Sequence, residues 1–136
     1  MIRITDKPIQ IEEAVKAATA LGSGAINVFV GTVRNESKGK TVRWLEYEAF
    51  ENMAVSELRK IIHDASSKWK LHGHAVIHRV GTLHPGETAV VVAVSTPHRK
   101  ESFEACSYII DTLKERVPIF KKEVFENGEE WVSATP

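Results

Sequence analysis

The sequence predicts a single α+β domain in which helices pack on a mixed, largely antiparallel β-sheet. Apolar patterns of period two alternate with patterns of helical period, and the predicted order β-α-β-β-α-β-β-α-β combines hairpins with helical crossovers. The length of 136 residues suits one domain that spans residues 1–136. The composition, 43% hydrophobic and 26% charged, is ordinary for a folded globular chain.

The first half of the chain contains the first three predicted strands and one helix. Residues 2–4 suit a short strand, and residues 9–21 have helical spacing that stops at Gly22. Residues 24–34 are rich in β-branched residues and apolar on both faces, which is typical of a central strand. A polar loop, residues 35–41, leads to an alternating strand at residues 42–49. The loop is either a lid over an anion or an ordinary hairpin connection, and the second is commoner.

The second half begins with a long helix and ends with a strand. The apolar stripe of that helix comprises Ala54, Leu58, Ile61, Ala65 and Trp69. Residues 74–80 and 88–95 form the next strands, and Pro85-Gly86 between them suits the centre of a type II turn. A last helix ends near Lys114, and its predicted stripe comprises Phe103, Cys106, Ile110, Leu113 and Val117.

The start of the last helix is a candidate anion site. Thr96 suits the N-cap and Pro97 the first helical position, which leaves His98 and Arg99 in the first turn. Free backbone N–H groups beside an arginine and a histidine favour a phosphate or a carboxylate. Two exposed cations on a solvated turn explain the same residues equally well.

The strand after Pro118 carries the second candidate. With period two, Lys121 and Glu123 share one face while Lys122 points to the other, and Lys114 lies near the end of the preceding helix. A lysine in a partly apolar pocket beside another cation has a lowered pKa and can act as a base or nucleophile. The alternative is that these charges decorate an edge strand and protect it from aggregation.

Charge and cysteine content exclude several classes of function. Lysine plus arginine equals aspartate plus glutamate, 18 each, so no global field recruits nucleic acid or a membrane. We expect a cytoplasmic protein, because no signal peptide or membrane-spanning segment is recognisable. The one cysteine, Cys106, is predicted to be a core residue. No metal site and no cofactor are expected, since the six histidines lack a matched ligand pattern.

A set of motifs follows in order from about residue 25 to residue 132. The motifs are Phe29-x-Gly31-x-Val33-Arg34, Tyr47-Glu48-Ala49-Phe50-x-x-Met53-Ala54, His78-Arg79-x-Gly81-x-Leu83-x-Pro85-Gly86-Glu87, His98-Arg99-x-x-x-Phe103-x-Ala105, Asp111-x-Leu113-Lys114, Pro118-Ile119-Phe120-Lys121-Lys122-Glu123 and Gly128-x-x-Trp131. Together they resemble the large, catalytic subunit of molybdopterin synthase. Phe120 stands where the family often has tryptophan. The resemblance implies an α/β hammerhead-type α+β domain that works as a homodimer within a heterotetramer.

The resemblance also implies the reaction. Sulfur comes from the C-terminal Gly-Gly thiocarboxylate of a small ubiquitin-like partner subunit, and cyclic pyranopterin monophosphate becomes the dithiolene of molybdopterin. Lys114 and Lys121 resemble the two essential lysines of the family. The substrate-binding group implied by the resemblance comprises Arg34, His98, Arg99, Lys114, Lys121, Lys122 and Glu123.

Two other functions stay open at the level of sequence. The first is a non-catalytic partner-binding α+β module, whose cations would be spread and exposed. The second is a different phosphate-recognising group transferase that uses Lys114 as nucleophile. An enzyme requires Arg34, His98, Arg99, Lys114 and Lys121 to converge in a partly desolvated pocket, and we predict that they do.

Overall fold

The computed structural model describes residues 1–132, which form three helices and nine strands. In chain order the elements are β1 (Ile2–Thr5), α1 (Ile11–Ala18), β2 (Ala25–Thr32), β3 (Glu36–Ser37), β4 (Lys40–Ala49), α2 (Glu51–Lys68), β5 (Gly73–Arg79), β6 (Gly81–Leu83), β7 (Thr88–Thr96), α3 (Arg99–Arg116), β8 (Ile119–Phe125) and β9 (Gly128–Val132). No helix in this described part of the chain is long and apolar enough to cross a membrane. The predicted α+β class is confirmed.

The first sheet has the strand order β1-β5-β7-β2 and is covered on both faces. Only the β1–β5 pair is parallel within the described strands. Alternation along β5 directs Ala75 and Ile77 toward the core under α1, and Val76 toward the larger core under α2 and α3. This sheet is the rigid layer on which the helices are fixed.

The prediction that residues 24–34 form a central strand is wrong, because β2 lies at the edge of the sheet. Val28 and Val30 pack toward α1, while Phe29 packs into the core under α2 and α3. Both faces of β2 are therefore covered, although one of its edges has no partner among the strands of residues 1–132. Apolar content reports how the faces are buried, whereas strand order depends on backbone pairing.

The second sheet has the order β3-β4-β8-β9, with β6 also paired to β4, and all of its described pairs are antiparallel. In its register, Tyr47 of β4 lies opposite Lys121 of β8, and Leu45 lies opposite Glu123. A separate apolar cluster under this sheet comprises Val33, Val42, Leu45, Leu83, Ala89 and Phe125.

The start of α3 differs from the prediction. His98 is the N-cap, in an extended conformation, and Arg99 is the first helical residue. Thr96 does not cap the helix: it is the last residue of β7, its carbonyl accepts the Gly24 N–H, and its hydroxyl donates to the His98 carbonyl at 2.6 Å. Pairing of the strand therefore prevails over the capping preference.

The apolar stripe of α3 is also rotated by one position at its beginning. Phe103 is exposed, whereas the buried helical residues are Ser102, Ala105, Cys106, Ile109, Ile110 and Leu113. The predicted stripe is right from Cys106 onward and wrong at Phe103. The helix α2 follows its prediction, with Ala54, Leu58, Ile61 and Ala65 fully buried.

The turns carry clear local signatures. In the 35–41 segment, β3 and the start of β4 pair directly, and the two residues between them, Lys38 and Gly39, have φ of 55° and 74°. The segment therefore forms the hairpin connection of the two alternatives. The predicted type II turn is confirmed, because Gly86 has φ of 92° and the Glu87 N–H donates to the His84 carbonyl at 3.0 Å.

Candidate active site

A cavity of about 290 Å³ lies where the last turn of α3 meets the two sheets. Its walls include apolar side chains from β2, β4, β7 and α3, among them Phe29, Leu45, Val90 and Leu113. Its polar lining comprises Thr32, Arg34, Glu36, Tyr47, His78, Lys114, Lys121 and Glu123. An apolar cavity with a few convergent polar groups is the usual form of a small-molecule site.

Strand alternation and register place the groups on the β8 side. Lys121 and Glu123 are two residues apart and so point to the same face of the sheet. The opposite residues on β4, Tyr47 and Leu45, share that face and the cavity. Glu123 is 5% exposed, which makes it a buried carboxylate beside the half-buried Lys121.

Arg34 and Lys114 reach the cavity from ends of elements. Val33, just before Arg34, is anchored to the turn before β7: its N–H donates to the Glu87 carbonyl at 2.9 Å and its carbonyl accepts the Gly86 N–H at 2.8 Å. Lys114 lies in the last turn of α3, which ends at Arg116 because Pro118 disfavours a helical conformation at Val117. Both cations are thus held by fixed backbone.

Burial lowers the pKa of the Lys121 amine, because the charged form loses solvation in the cavity. The carboxylate of Glu123 opposes this shift, whereas the positive charges of Lys114 and Arg34 reinforce it. Burial, followed by the charge of Glu123, raises the pKa of the Tyr47 hydroxyl to about 12. Lys121 is therefore easier to deprotonate than an exposed lysine, and Tyr47 stays protonated at neutral pH.

His78, at the inner wall of the cavity, is 5% exposed and neutral. Its Nδ1 lies 2.8 Å from the Arg79 carbonyl, and its ring meets the Tyr47 ring edge to face at 5.1 Å between centroids. Burial lowers the pKa of its imidazole to about 4, and the positive charge of Lys114 acts in the same direction. His78 therefore adds no charge to the cavity near pH 7.

The predicted pocket of five cations is only partly formed within one chain. Arg34, Lys114 and Lys121 share the cavity, but His98 and Arg99 are exposed at the opposite end of α3. A helix of 18 residues is about 27 Å long, so these two residues cannot reach the cavity of their own chain. The prediction is wrong for His98 and Arg99 in a single chain.

Lys122 does not line the cavity, and its predicted place beside the substrate is not supported. Its amine lies on the other face of β8, 3.5 Å from Glu46 and 3.7 Å from Glu129. It also lies 5.3 Å from the centre of the Trp131 ring. Strand alternation is the physical reason, since neighbours along a strand point to opposite faces.

Tyr47 and His78 are two of the polar cavity residues that were not predicted as site residues. Both lie in motifs of the resemblance, but strand alternation alone cannot bring β4, β5 and β8 into contact. The alternation along β4 places Tyr47 on the same face as Leu45. Only the β4–β8 register shows that this face is also the face of Lys121 and Glu123.

Sulfur and metal chemistry have few candidate groups. Cys106 is 3% exposed, its Sγ lies 3.7 Å from the Val92 carbonyl, and burial raises the pKa of its thiol to about 11. It does not line the cavity. Within residues 1–132, no three His, Cys, Asp or Glu side chains are grouped to hold a metal ion.

The arrangement can hold an anion and transfer protons. Three cations, Arg34, Lys114 and Lys121, outnumber the two carboxylates of Glu36 and Glu123 in the cavity lining, so the site has a small positive excess in a chain of zero net charge. A lysine with a lowered pKa beside a buried carboxylate can exchange protons with a bound molecule.

Comparisons with known proteins agree on one family. The molybdopterin synthase catalytic subunit of Bacillus subtilis (strain 168) is 47% identical over 129 residues, which cover 95% of this chain and 82% of that protein. The crystal structure of molybdopterin synthase from Staphylococcus aureus has a TM-score of 0.92 at 40% identity, covering 96% of this chain and 95% of that chain. A complex of subunits 1 and 2 of molybdopterin-converting factor from Helicobacter pylori 26695 shares the fold, with a TM-score of 0.79 at 24% identity, covering 97% and 90%. The sequence model described as MoaE protein matches residues 4–116, and the chain belongs to this family.

Proposed function

We propose that the chain is the catalytic subunit of a molybdopterin synthase. In this reaction cyclic pyranopterin monophosphate receives two sulfur atoms and becomes the dithiolene of molybdopterin. The observation that carries the proposal is the cavity that Arg34, Lys114 and Lys121 line together with the buried Glu123. A phosphate-bearing substrate requires such a local cluster of cations in a protein without net charge.

The sulfur must come from outside the chain. Cys106 is the only cysteine in the sequence, and it is buried in the core with a protonated thiol. A thiol of raised pKa is a poor nucleophile and sulfur carrier at neutral pH. We therefore assign the sulfur donor to the C-terminal Gly-Gly thiocarboxylate of a small ubiquitin-like partner subunit.

The two lysines have different roles in this proposal. A thiocarboxylate tail is anionic and flexible, and Lys114 at the end of α3 offers a cation where the tail reaches the cavity. An amine next to an activated acyl group can also be trapped as an amide with that tail. Lys121, with its lowered pKa and its neighbour Glu123, moves protons as sulfur adds to the substrate.

His98 and Arg99 complete the substrate site from a second copy of the chain. Because the two ends of α3 lie about 27 Å apart, only another protomer can bring them to the cavity. This supports a homodimer that binds one small subunit on each flank, as a heterotetramer. A cytoplasmic location stays a prediction.

A non-catalytic docking module is less well supported. Such a module needs its cations spread over an exposed face, whereas three of them converge here and Lys121 is half-buried. A different transferase that uses Lys114 as nucleophile shares the cavity, and only its products separate it from the proposed enzyme.

Reconstitution tests the proposal. The purified chain, cyclic pyranopterin monophosphate and the partner carrying a C-terminal thiocarboxylate should together form molybdopterin, detected as its fluorescent oxidised derivative. The partner with an ordinary carboxylate is the matched control and should give no product. Absence of product with the thiocarboxylated partner would overturn the proposal, while transfer of the acyl group without sulfur would identify the other transferase.

A further inference from the structure

His78 and Lys114 line the same cavity and have complementary, unused hydrogen-bonding capacity. His78 is near the end of β5, where it pairs with Val90 of β7, and Lys114 is in the last turn of α3. The positive charge of Lys114 also lowers the pKa of the imidazole. Neither the Lys114 amine nor Nε2 of His78 has a hydrogen-bond partner among residues 1–132.

The backbone fixes the tautomer of His78. A carbonyl can only accept, so the 2.8 Å contact with the Arg79 carbonyl requires a proton on Nδ1. Since the ring is neutral, Nε2 carries a lone pair. In the described residues the fully buried side-chain atoms without a partner are Arg79 Nε and Glu101 Oε2. Nε2 of His78 also has no partner but does not belong to this set, so it is not fully buried. A group in the cavity can therefore reach it.

We propose that His78 is a positioning residue for Lys114: the flexible lysine side chain turns within the shared cavity, its ammonium donates a hydrogen bond to the free Nε2, and this bond aims the amine into the cavity. This inference rests on the proposed function, in which Lys114 meets the thiocarboxylate tail. An ammonium has three donors and no acceptor, so one donor can go to His78 while the others meet an anion.

The surroundings favour a neutral acceptor at this position. Lys114 lines the cavity from α3, and the Tyr47 ring of β4 meets the imidazole edge to face. Lys121 and Glu123 line the cavity from β8, and Arg34 lines it just after β2. A charged imidazole among three cations would repel the Lys114 amine. A neutral ring orients the amine and keeps the positive charge on the groups that meet an anion.

Two substitutions separate positioning from packing. His78→Gln can place its amide oxygen near the position of Nε2, whereas His78→Asn keeps a donor near Nδ1 and loses the acceptor. We expect His78→Asn to lower kcat about tenfold with little change in the substrate KM, as for loss of a hydrogen bond to a charged group. His78→Gln should recover most of that loss, while a purely structural role predicts equal losses for both variants.

A second measurement needs neither substrate nor partner. Trace acetylation with acetic anhydride, followed by mass spectrometry, reports how fast each lysine amine reacts. Loss of the acceptor releases the Lys114 amine, so Lys114 should be acetylated several-fold faster near pH 8 in the His78→Asn variant than in the wild type, with Lys16 as the distant control. Wild-type labelling of Lys114 in a folded His78→Asn protein would overturn the proposal.

The two proposals fail in different ways. If the wild-type chain forms no molybdopterin but His78→Asn alters Lys114 labelling, the proposed function fails and the positioning role stands. If turnover depends on Lys114 and His78→Asn leaves both kcat and labelling unchanged, only the positioning role fails. Should His78→Asn not fold, the ¹⁵N spectrum of the wild-type imidazole decides, because a protonated Nε2 at pH 7 contradicts the proposal.

Discussion

Lys121 and Lys122 are neighbours on β8, yet their amines lie on opposite faces of the second sheet. Lys121 lines the cavity opposite Tyr47, while Lys122 lies 3.5 Å from Glu46 on the outer face. The inner face of this sheet therefore lines the cavity of the proposed reaction, while ion pairs on its outer face link β8 to β4 and β9. This separation follows from strand geometry alone and makes the two lysines a matched pair for experiment.

Lys114 and Lys121 should differ in what their alanine variants still bind. Each replacement should abolish turnover without unfolding the domain, because both amines face the cavity. Lys114→Ala should lose any amide crosslink to the partner tail, whereas Lys121→Ala should keep partner association and lose substrate handling. Mass spectrometry of the crosslinked chains checks this. A crosslink that survives in Lys114→Ala and disappears in Lys121→Ala means that the roles are reversed.

Local patterns predicted much of the fold. The α2 stripe, the turn at Pro85-Gly86 and the strand after Pro118 each follow from neighbours in sequence, and the structure confirms them. The edge position of β2 and the N-cap of α3 did not follow. Both depend on which backbone groups pair with β7, and that pairing joins residues far apart in the chain.

The candidate site shows the same division. Alternation along β8 placed Lys121 with Glu123 and set Lys122 apart, as the structure has it. His78 could not be selected among six histidines, because its importance comes from burial and from the fixed Nδ1 proton. The separation of His98 from Lys114 follows from the length of α3. It could have been predicted from the sequence, because the number of residues between them sets their distance along the helix.

Cys106→Ala should keep sulfur transfer and lose about 1 kcal/mol of unfolding free energy, as expected for a small truncation in the core. The thiol is buried and does not line the cavity. Urea unfolding and the reconstituted assay check the two parts. A folded variant without activity would mean that sulfur passes through this chain.

Unfolding free energy should fall in acid partly because of His78. Its folded pKa is about 4 against an ordinary 6.5, so between these values the unfolded chain binds a proton that the folded chain excludes. The stability is present above pH 6.5 and decreases as pH falls toward 4, by up to about 3 kcal/mol for such a shift.

His78→Gln should reduce this dependence. The difference in unfolding free energy between pH 7 and pH 4.5, measured by urea titration, should be smaller in the variant than in the wild type. His74, whose pKa is also lowered by burial, is present in both proteins and cancels in the comparison. Equal pH dependence in the two proteins would show that His78 does not titrate as assigned.

Gly73→Ala should destabilise the domain by about 2 kcal/mol through overpacking. A Cβ there would lie 2.3 Å from the Ala18 carbonyl oxygen, which also accepts the Ser95 hydroxyl at 2.5 Å. Gly39→Ala is the control: its Cβ would meet no atom within 4 Å, so only its positive φ of 74° opposes the change, at about 1 kcal/mol. Thermal unfolding of both variants checks which one loses more stability. A greater loss of stability for Gly39→Ala than for Gly73→Ala would contradict the close packing of Gly73 against Ala18.

The turnover of Lys121→Ala against Lys122→Ala tests the central claim most directly, since the two lysines differ in the face they occupy. With substrate and thiocarboxylated partner both saturating, Lys121→Ala should form no measurable molybdopterin. Lys122→Ala should keep kcat within about threefold of wild type, because it loses only ion pairs on the outer face. Equal loss in two folded variants, or an active Lys121→Ala protein, would contradict the assignment of the chemistry to this cavity.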